Sequence, residues 1–217
     1  MENAISPLWC LFIFVSINIY QQRFDLQLYS HSVDPLSDLI QIIFSIPHVL
    51  VQSVNMHEKG AKIRDFLKPG DIGYLTYLQG KQYYEEFGFN IEFEALIARL
   101  FNEYIDQRTE KKGIWIVEYK GKPIGCVALF RETDEEGRLR LLFVHPDHRR
   151  EGLGSKLVDK VLSTARGMGY SRIYLSTESL LKDALGLYRR AGFVLKEEYP
   201  VRKWGRDLIH QGYELEL

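Results

Sequence analysis

The sequence predicts an α+β fold with α/β-type layers, in which a mixed sheet of about seven strands is flanked by about four helices. Apolar residues alternate between strand-like runs and helical spacing in the order β-α-α-β-β-β-α-β-α-β-β. Near the middle of this order, a loop with two glycines follows an apolar run and opens a helical pattern. These observations indicate one domain in residues 61–217.

The first half of this domain begins with a short strand and two helices. Residues 61–67 are predicted as the strand, and the Pro69-Gly70 pair breaks the chain before the helical pattern of residues 71–87. Residues 91–107 carry a clear apolar stripe at helical spacing. Two apolar runs then meet at Gly121, which predicts a β-hairpin over residues 114–130.

The second half alternates strands and helices. A strand over residues 139–144 leads through the loop into an amphipathic helix over residues 153–165. Gly192 stands where a glycine commonly ends a helix, which places a second helix just before it. The remaining predicted elements are a strand at 172–176, that helix at 179–191, and strands at 193–199 and 208–217.

The loop over residues 149–154, Arg-Arg-Glu-Gly-Leu-Gly, predicts an anion site. Glycines let the backbone approach a ligand, and the free N–H groups and dipole of a helix N-terminus favour a phosphate. A P-loop needs a Lys-Ser/Thr pair, whereas Ser155-Lys156 has the reverse order. A dinucleotide fold needs three glycines and a later acidic residue, which are lacking. The loop therefore favours another phosphorylated cofactor.

Two motifs carry a resemblance to a known family. Arg149, Gly152 and Gly154 fit the pattern Arg/Gln-x-x-Gly-x-Gly/Ala, and the stretch 187–193, Leu-Tyr-Arg-Arg-Ala-Gly-Phe, follows at a suitable distance. With them, residues 61–217 resemble the GNAT superfamily of N-acetyltransferases, which implies the GNAT fold. A narrower resemblance, in residues 68–74, 88–90 and 211–217, is to the acetyltransferase half of bacterial winged-helix regulator/GNAT fusion proteins. No winged helix is evident in this sequence.

The resemblance implies that acetyl-CoA is a co-substrate and that the acetyl group passes to a primary amine of a small molecule or a protein. Transfer would occur by direct attack in a ternary complex. A second function stays open, since the narrower resemblance is to regulator-fused domains: a non-catalytic acyl-CoA-binding sensor.

The same resemblance assigns the site residues. Backbone groups of Phe143 and Val144 would bind the pantetheine arm, and Tyr188 would be the general acid for the leaving thiolate. The alternative for Tyr188 is simple packing, because it lies at helical spacing among apolar neighbours. The residues expected around the pyrophosphate are Arg149, Arg150, Gly152, Leu153, Gly154 and Ser155.

The general base is less defined. Glu178 follows the strand at 172–176, where GNAT sheets open around the acetyl group, and we therefore expect it to be the catalytic carboxylate. Related sequences often have asparagine at this position, so the glutamate of this chain departs from the family pattern. Glu85, Glu86 and a chain of water molecules are alternative routes for the amine proton.

Residues 1–55 differ in composition from the rest, with one basic residue, Arg23, and four acidic ones. As a helix, the apolar run 8–20 would span about 20 Å, less than the roughly 30 Å of a bilayer core. It also lacks the flanking residues of a secretory signal. A poorly structured tail, a membrane-associating anchor and residues that are not natively translated remain open. Because Met56 stands at the change in composition, we expect translation to start there.

The overall composition excludes several classes of partner and cofactor. The net charge of −1 gives no bulk basic surface of the kind that nucleic-acid binders show. Two cysteines, Cys10 and Cys126, form no disulfide framework, and the histidines and cysteines lack metal-site spacing. The sequence thus predicts a cytoplasmic enzyme that uses no metal and does not span a membrane. It is also compatible with a homodimer.

Overall fold

A seven-stranded mixed sheet forms the centre of the fold in the computed structural model, which describes residues 60–217. The extension at residues 1–55 lies outside the described residues. The elements in chain order are β1 (Lys62–Arg64), α1 (Asp71–Phe87), α2 (Ile91–Asp106), β2 (Gly113–Tyr119), β3 (Lys122–Arg131), β4 (Glu136–Val144), a 3-10 turn (Pro146–His148), α3 (Leu153–Gly167), β5 (Arg172–Glu178), α4 (Lys182–Arg190), β6 (Val194–Lys203) and β7 (Arg206–Glu216).

The element order and the mixed sheet predicted from the sequence are confirmed. The strands lie in the order β1-β2-β3-β4-β5-β7-β6, and only β4 and β5 run parallel. Several predicted boundaries differ: α4 begins at Lys182 and not at Ser179, β4 begins at Glu136, and β6 extends to Lys203. Residues 176–178 continue β5 because they pair with β7 as far as His210, and a turn with Leu181 N–H donating to Glu178 O separates strand from helix.

The sheet opens between β4 and β5. The two strands pair over only three residues, Glu136–Arg138 against Arg172–Tyr174, and then separate. On its other side β4 carries one more residue than β3 between Phe143 and Arg140, which is a β-bulge. Within this bulge Leu141 adopts a left-handed φ of 58°, a conformation that a leucine rarely takes. The bulge bends β4 at the point where the gap begins.

Each face of the sheet has its own core. One core lies on the side of α3 and α4 and includes Leu157, Val161 and Ile173. The other lies on the side of α1 and α2 and includes Leu75, Phe101 and Ile116. The apolar stripes of the helices therefore pack on opposite faces of the sheet.

The β6–β7 hairpin is attached to the junction between α1 and α2. The Trp204 ring packs 4.9 Å from the rings of both Phe89 and Phe93. Asn90 N–H donates to Trp204 O at 3.1 Å, and the Arg206 guanidinium donates to Phe87 O. These contacts hold the hairpin beside the open side of the sheet.

Candidate active site

A cleft of about 770 Å³ opens where β4 and β5 separate. Its walls are the end of α1, the end of β4, the loop into α3, and the segment from Leu180 through α4. The lining residues include Tyr83, Glu86, Phe87, Leu142, Phe143, Val144, His148, Arg149, Arg150, Gly152, Gly154, Ser155, Leu180, Leu181, Lys182, Asp183, Ala184, Gly186, Leu187 and Arg190. A cleft of this size accommodates a ligand as large as a cofactor.

The N-terminus of α3 points an uncapped set of amides at this cleft. Gly152 has a left-handed φ of 78° and supplies no side-chain cap, and the first turn contains no acidic residue. The first hydrogen bond of the helix joins Lys156 N–H to Gly152 O, so the amides of the three preceding residues are available. Free amides and a helix dipole together bind a phosphate group.

Arginine side chains add positive charge beside these amides. Arg149 is held by two bonds, from Nε to Val144 O at 3.2 Å and from Nη1 to Glu86 Oε1 at 2.7 Å. The second bond joins the loop to α1 across the cleft. Arg150 is exposed and has a left-handed φ of 65°. The loop thus provides a fixed cation and a solvent-facing one at the end of the cleft.

Seven of the eight residues predicted to hold the cofactor line this cleft. The exception is Leu153, whose side chain is buried in the core beneath α3. Leu153 can therefore contribute only its backbone N–H to a ligand. His148, which sequence reasoning treats as a turn or surface residue, also lines the cleft and packs its ring 4.9 Å from the Tyr119 ring.

Tyr188 lies behind the cleft wall and does not line the cleft. Its side chain is buried and packs edge-on against Phe193, with the ring centroids 5.9 Å apart. Burial raises the pKa of Tyr188 above its ordinary value, and the neighbouring Tyr83 adds to the rise. Its phenol therefore keeps its proton at neutral pH, which a proton donor requires.

Tyr83 is a site residue that the sequence reasoning missed. It lines the cleft from α1, and burial raises its pKa to about 12 although the Arg149 guanidinium opposes the rise. Its ring stacks 4.4 Å from Phe93. Helical spacing identified Tyr83 as a core residue, and nothing in the local sequence indicated that α1 reaches the cleft.

Glu178 stands at the end of β5 and is 2% exposed, outside the cleft lining. Lys203 Nζ lies 2.6 Å from its Oε1, and His210 Nδ1 lies 3.2 Å from the same oxygen. The other oxygen, Oε2, is buried and has no hydrogen-bond partner among the described residues. Of the alternative bases, Glu86 lines the cleft but is paired with Arg149. The structure thus brings Glu178 together with Lys203 and His210, which sequence reasoning did not select.

Metal sites and membrane-spanning helices are absent from residues 60–217. Within that range, no three or more His, Cys, Asp or Glu side chains are grouped in a way that would hold a metal ion. No helix of the described part has the length and apolar character needed to cross a membrane.

Comparison with known proteins agrees with this geometry. The model of the acetyltransferase (GNAT) family matches residues 76–193, a little more than half of the chain. YjgM, an uncharacterised N-acetyltransferase of Escherichia coli, is 37% identical over 82 residues, which are 36% of this chain and 49% of YjgM. The chain thus spans about half the length of that relative. MJ1207, an uncharacterised N-acetyltransferase of Methanocaldococcus jannaschii, is 26% identical over 200 residues, covering 88% of this chain and 85% of MJ1207.

Solved structures show the same fold. The structure of YncA from Salmonella typhimurium, determined with acetyl-CoA, superimposes with a TM-score of 0.57. It is 20% identical to this chain, and the match covers 73% of this chain and 94% of that protein. At this identity the likeness concerns the fold alone.

Proposed function

The chain belongs to the acetyltransferase (GNAT) family, and we propose that it is an acetyl-CoA-dependent N-acetyltransferase. The amine substrate is a primary amine of a small molecule or a protein. The observation that carries this proposal is the uncapped N-terminus of α3 at the cleft, flanked by Arg149 and Arg150. The pyrophosphate of acetyl-CoA is an anion of the size and charge that such a site binds.

The cleft wall supplies backbone groups that could hold the pantetheine arm and the acyl group. Phe143 and Val144 line the cleft at the end of β4, beyond the last residue of β4 that pairs with β5. Their backbone groups on that side are proposed to bind the pantetheine arm in place of a neighbouring strand. A backbone N–H here would also stabilise the oxyanion that forms when the amine attacks the thioester carbonyl.

Proton transfers complete the proposed reaction. Tyr188 donates a proton to the departing thiolate, a role that its protonated, buried phenol supports. Glu178 takes part in removing the proton of the amine. In the chain, Glu178 precedes and Tyr188 follows the segment from Leu180 to Lys182, which contributes to the cleft wall.

A second function keeps one observation in its favour: neither Tyr188 nor Glu178 lines the cleft. A non-catalytic acyl-CoA-binding domain would need the phosphate site without these groups. The resemblance to the acetyltransferase half of winged-helix regulator fusions belongs with this alternative.

The release of coenzyme A tests the enzymatic function. We expect the full chain, supplied with acetyl-CoA and a panel of primary amines, to release free thiol steadily with at least one amine. Calorimetric titration with acetyl-CoA on the same preparation reports binding. Binding without turnover on any amine would favour the sensor, and the absence of binding would contradict both functions.

Two further proposals concern the location and the assembly of the protein. We propose a cytoplasmic location because the sequence has no disulfide framework. We also propose a homodimer through β6, which is an edge strand of the sheet. This strand exposes Val194, Leu195 and Tyr199 among charged residues, and an edge strand with exposed apolar side chains is a surface that a second copy can contact.

Residues 61–217 are proposed to be the complete acetyltransferase domain. We therefore expect a shortened chain that begins at Met56 to be monodisperse and to bind acetyl-CoA as tightly as the full chain, because the residues proposed to bind the cofactor lie within positions 143–155. Size-exclusion chromatography and calorimetry check this. The match to MJ1207 includes 88% of this chain, which is more than residues 60–217 alone, so it extends to residues before position 60. Insolubility or lost binding would show that earlier residues are needed by the domain.

A further inference from the structure

Three ionisable side chains meet at the open end of the β5-β7-β6 part of the sheet. They are Glu178 at the end of β5, His210 opposite it on β7, and Lys203 at the end of β6. His210 is 8% exposed and Glu178 is 2% exposed. We call these three residues the Glu-His-Lys cluster. Neither Lys203 nor His210 has a part in the reaction described above.

The cluster has one unused oxygen. Glu178 Oε1 contacts both Lys203 Nζ, at 2.6 Å, and His210 Nδ1, at 3.2 Å. Glu178 Oε2 is buried without a partner among the described residues. A buried carboxylate oxygen normally has a donor, since leaving it unpaired is unfavourable. The unused oxygen therefore points to a donor that comes from outside the described chain, such as a water molecule or the N–H of a bound substrate.

The geometry allows a form of the imidazole that can act as a base. His210 Nδ1 lies 3.2 Å from the carboxylate oxygen and 3.4 Å from Lys203 Nζ. In the tautomer with the proton on Nδ1, the imidazole donates to the carboxylate. In that tautomer Nε2 carries no proton and can accept one. This is the arrangement in which a carboxylate orients a histidine base.

The cluster stands next to the cleft wall. Leu180 lies two residues beyond Glu178 and lines the cleft, and it also packs on the core that contains Leu208. Ser179 N–H donates to Ile209 O at 2.9 Å, which ties this segment to β7 beside His210. On the other side, the β6–β7 hairpin is attached to the α1–α2 junction, where Phe87 lines the cleft.

We propose that His210 is the proton acceptor for the amine substrate and that Glu178 is the positioning residue that orients it. This inference rests on the proposed acetyltransferase function and changes the role of Glu178. Lys203 Nζ and His210 Nδ1 both engage Glu178 Oε1, which fits a positioning role for this carboxylate. The imidazole is the group of the cluster with an open acceptor nitrogen.

The proton balance is simple. The amine lone pair forms the new C–N bond while the C–S bond of the thioester breaks, with its electron pair passing to sulfur. One proton leaves the nitrogen for His210 Nε2, and Tyr188 gives one proton to the thiolate. The imidazolium then returns its proton to solvent and the Tyr188 phenolate takes one up from solvent, while Glu178 stabilises the positive charge on the imidazole in the meantime.

The described groups that face His210 are the Glu178 carboxylate on β5, the Lys203 ammonium on β6, and the Tyr199 ring on β6, which lies 4.9 Å from the imidazole. The pH profile of kcat/KM in the wild type is therefore the reference for variants of this cluster. Removal of the imidazole or of its carboxylate partner is expected to change that profile.

The test compares the pH profile of kcat/KM for the full chain and for three variants, with an amine on which the wild type releases coenzyme A. His210→Gln is expected to lower kcat by about 10²-fold or more and to change the profile. Glu178→Gln keeps the imidazole and is expected to lower kcat and to change the profile. Asp207→Asn is the matched control, because Asp207 pairs with Arg202 on the exposed side of the same hairpin. It should behave as the wild type.

A purely structural cluster predicts another outcome. Melting temperature would fall in both cluster variants, while kcat and the pH profile of the folded protein would stay those of the wild type, and this would overturn the inference. Addition of imidazole to His210→Ala is the second readout, and it should restore part of the turnover. If His210→Gln does not fold, unchanged kinetics in Glu178→Gln would equally overturn it. No release of coenzyme A by the wild type would instead contradict the acetyltransferase function.

Discussion

Gly154→Glu is expected to abolish acetyl-CoA binding while leaving the fold intact. Gly154 lines the cleft in the first turn of α3, where the pyrophosphate is proposed to bind. A Cβ added here meets only the Leu187 side chain, whose Cδ2 lies 3.2 Å away, and a flexible side chain can move. The rest of the glutamate would occupy the phosphate position and repel it by charge.

Calorimetry with acetyl-CoA and a melting curve on the same sample check this expectation. Gly73→Glu is a matched control, because Gly73 is exposed in the first turn of α1 and an added Cβ meets nothing within 4 Å. The control should bind as the wild type does. Normal affinity in folded Gly154→Glu would refute the placement of the cofactor.

Tyr188→Phe is expected to lower kcat by about 10²-fold or more, the usual contribution of a positioned acid. Acetyl-CoA affinity should hardly change, because the ring and its contact with Phe193 are kept. The packing alternative predicts the opposite: normal turnover with a small loss of stability.

Tyr170→Phe provides the comparison. The Tyr170 hydroxyl donates to Lys111 O at 2.6 Å, far along the chain from the cleft residues, so its loss should cost about 1 kcal/mol of stability and no turnover. Measurement of kcat and melting temperature on both variants separates the two roles. If Tyr188→Phe behaves as Tyr170→Phe does, Tyr188 is a packing residue.

The phosphate end of the site is readable from the sequence because it is local. A strand, a glycine loop and a helix N-terminus lie within twenty residues or so, and Arg149, Gly152 and Gly154 occupy fixed places in that unit. The strand and helix periods likewise identify the element order. The early start of the helix predicted at residue 179 was wrong, because pairing of β5 with β7 is a long-range interaction that local spacing does not contain.

The other side of the site depends on tertiary contacts. Glu86 and Arg149 are 63 positions apart, and their ion pair becomes visible only when α1 lies across the loop. Glu178, Lys203 and His210 likewise come from three strands. Glu178 could be selected from its place after a strand, but Lys203 and His210 look in the sequence like ordinary surface residues, because partner choice between strands follows from register and not from composition.

The gap between β4 and β5 has a thermodynamic consequence for the protein as a whole. Three residue pairs join the β1–β4 half of the sheet to the β5–β7–β6 half. A ligand that occupies the gap and bonds to β4 binds only the folded state, and it therefore raises the free energy of unfolding by RT ln(1 + [L]/Kd), about 2.7 kcal/mol at a hundredfold excess over Kd. The resistance of the domain to heat and to proteases in a cell would then follow the concentration of free acyl-CoA, so that protein abundance and metabolic state are linked without any regulator.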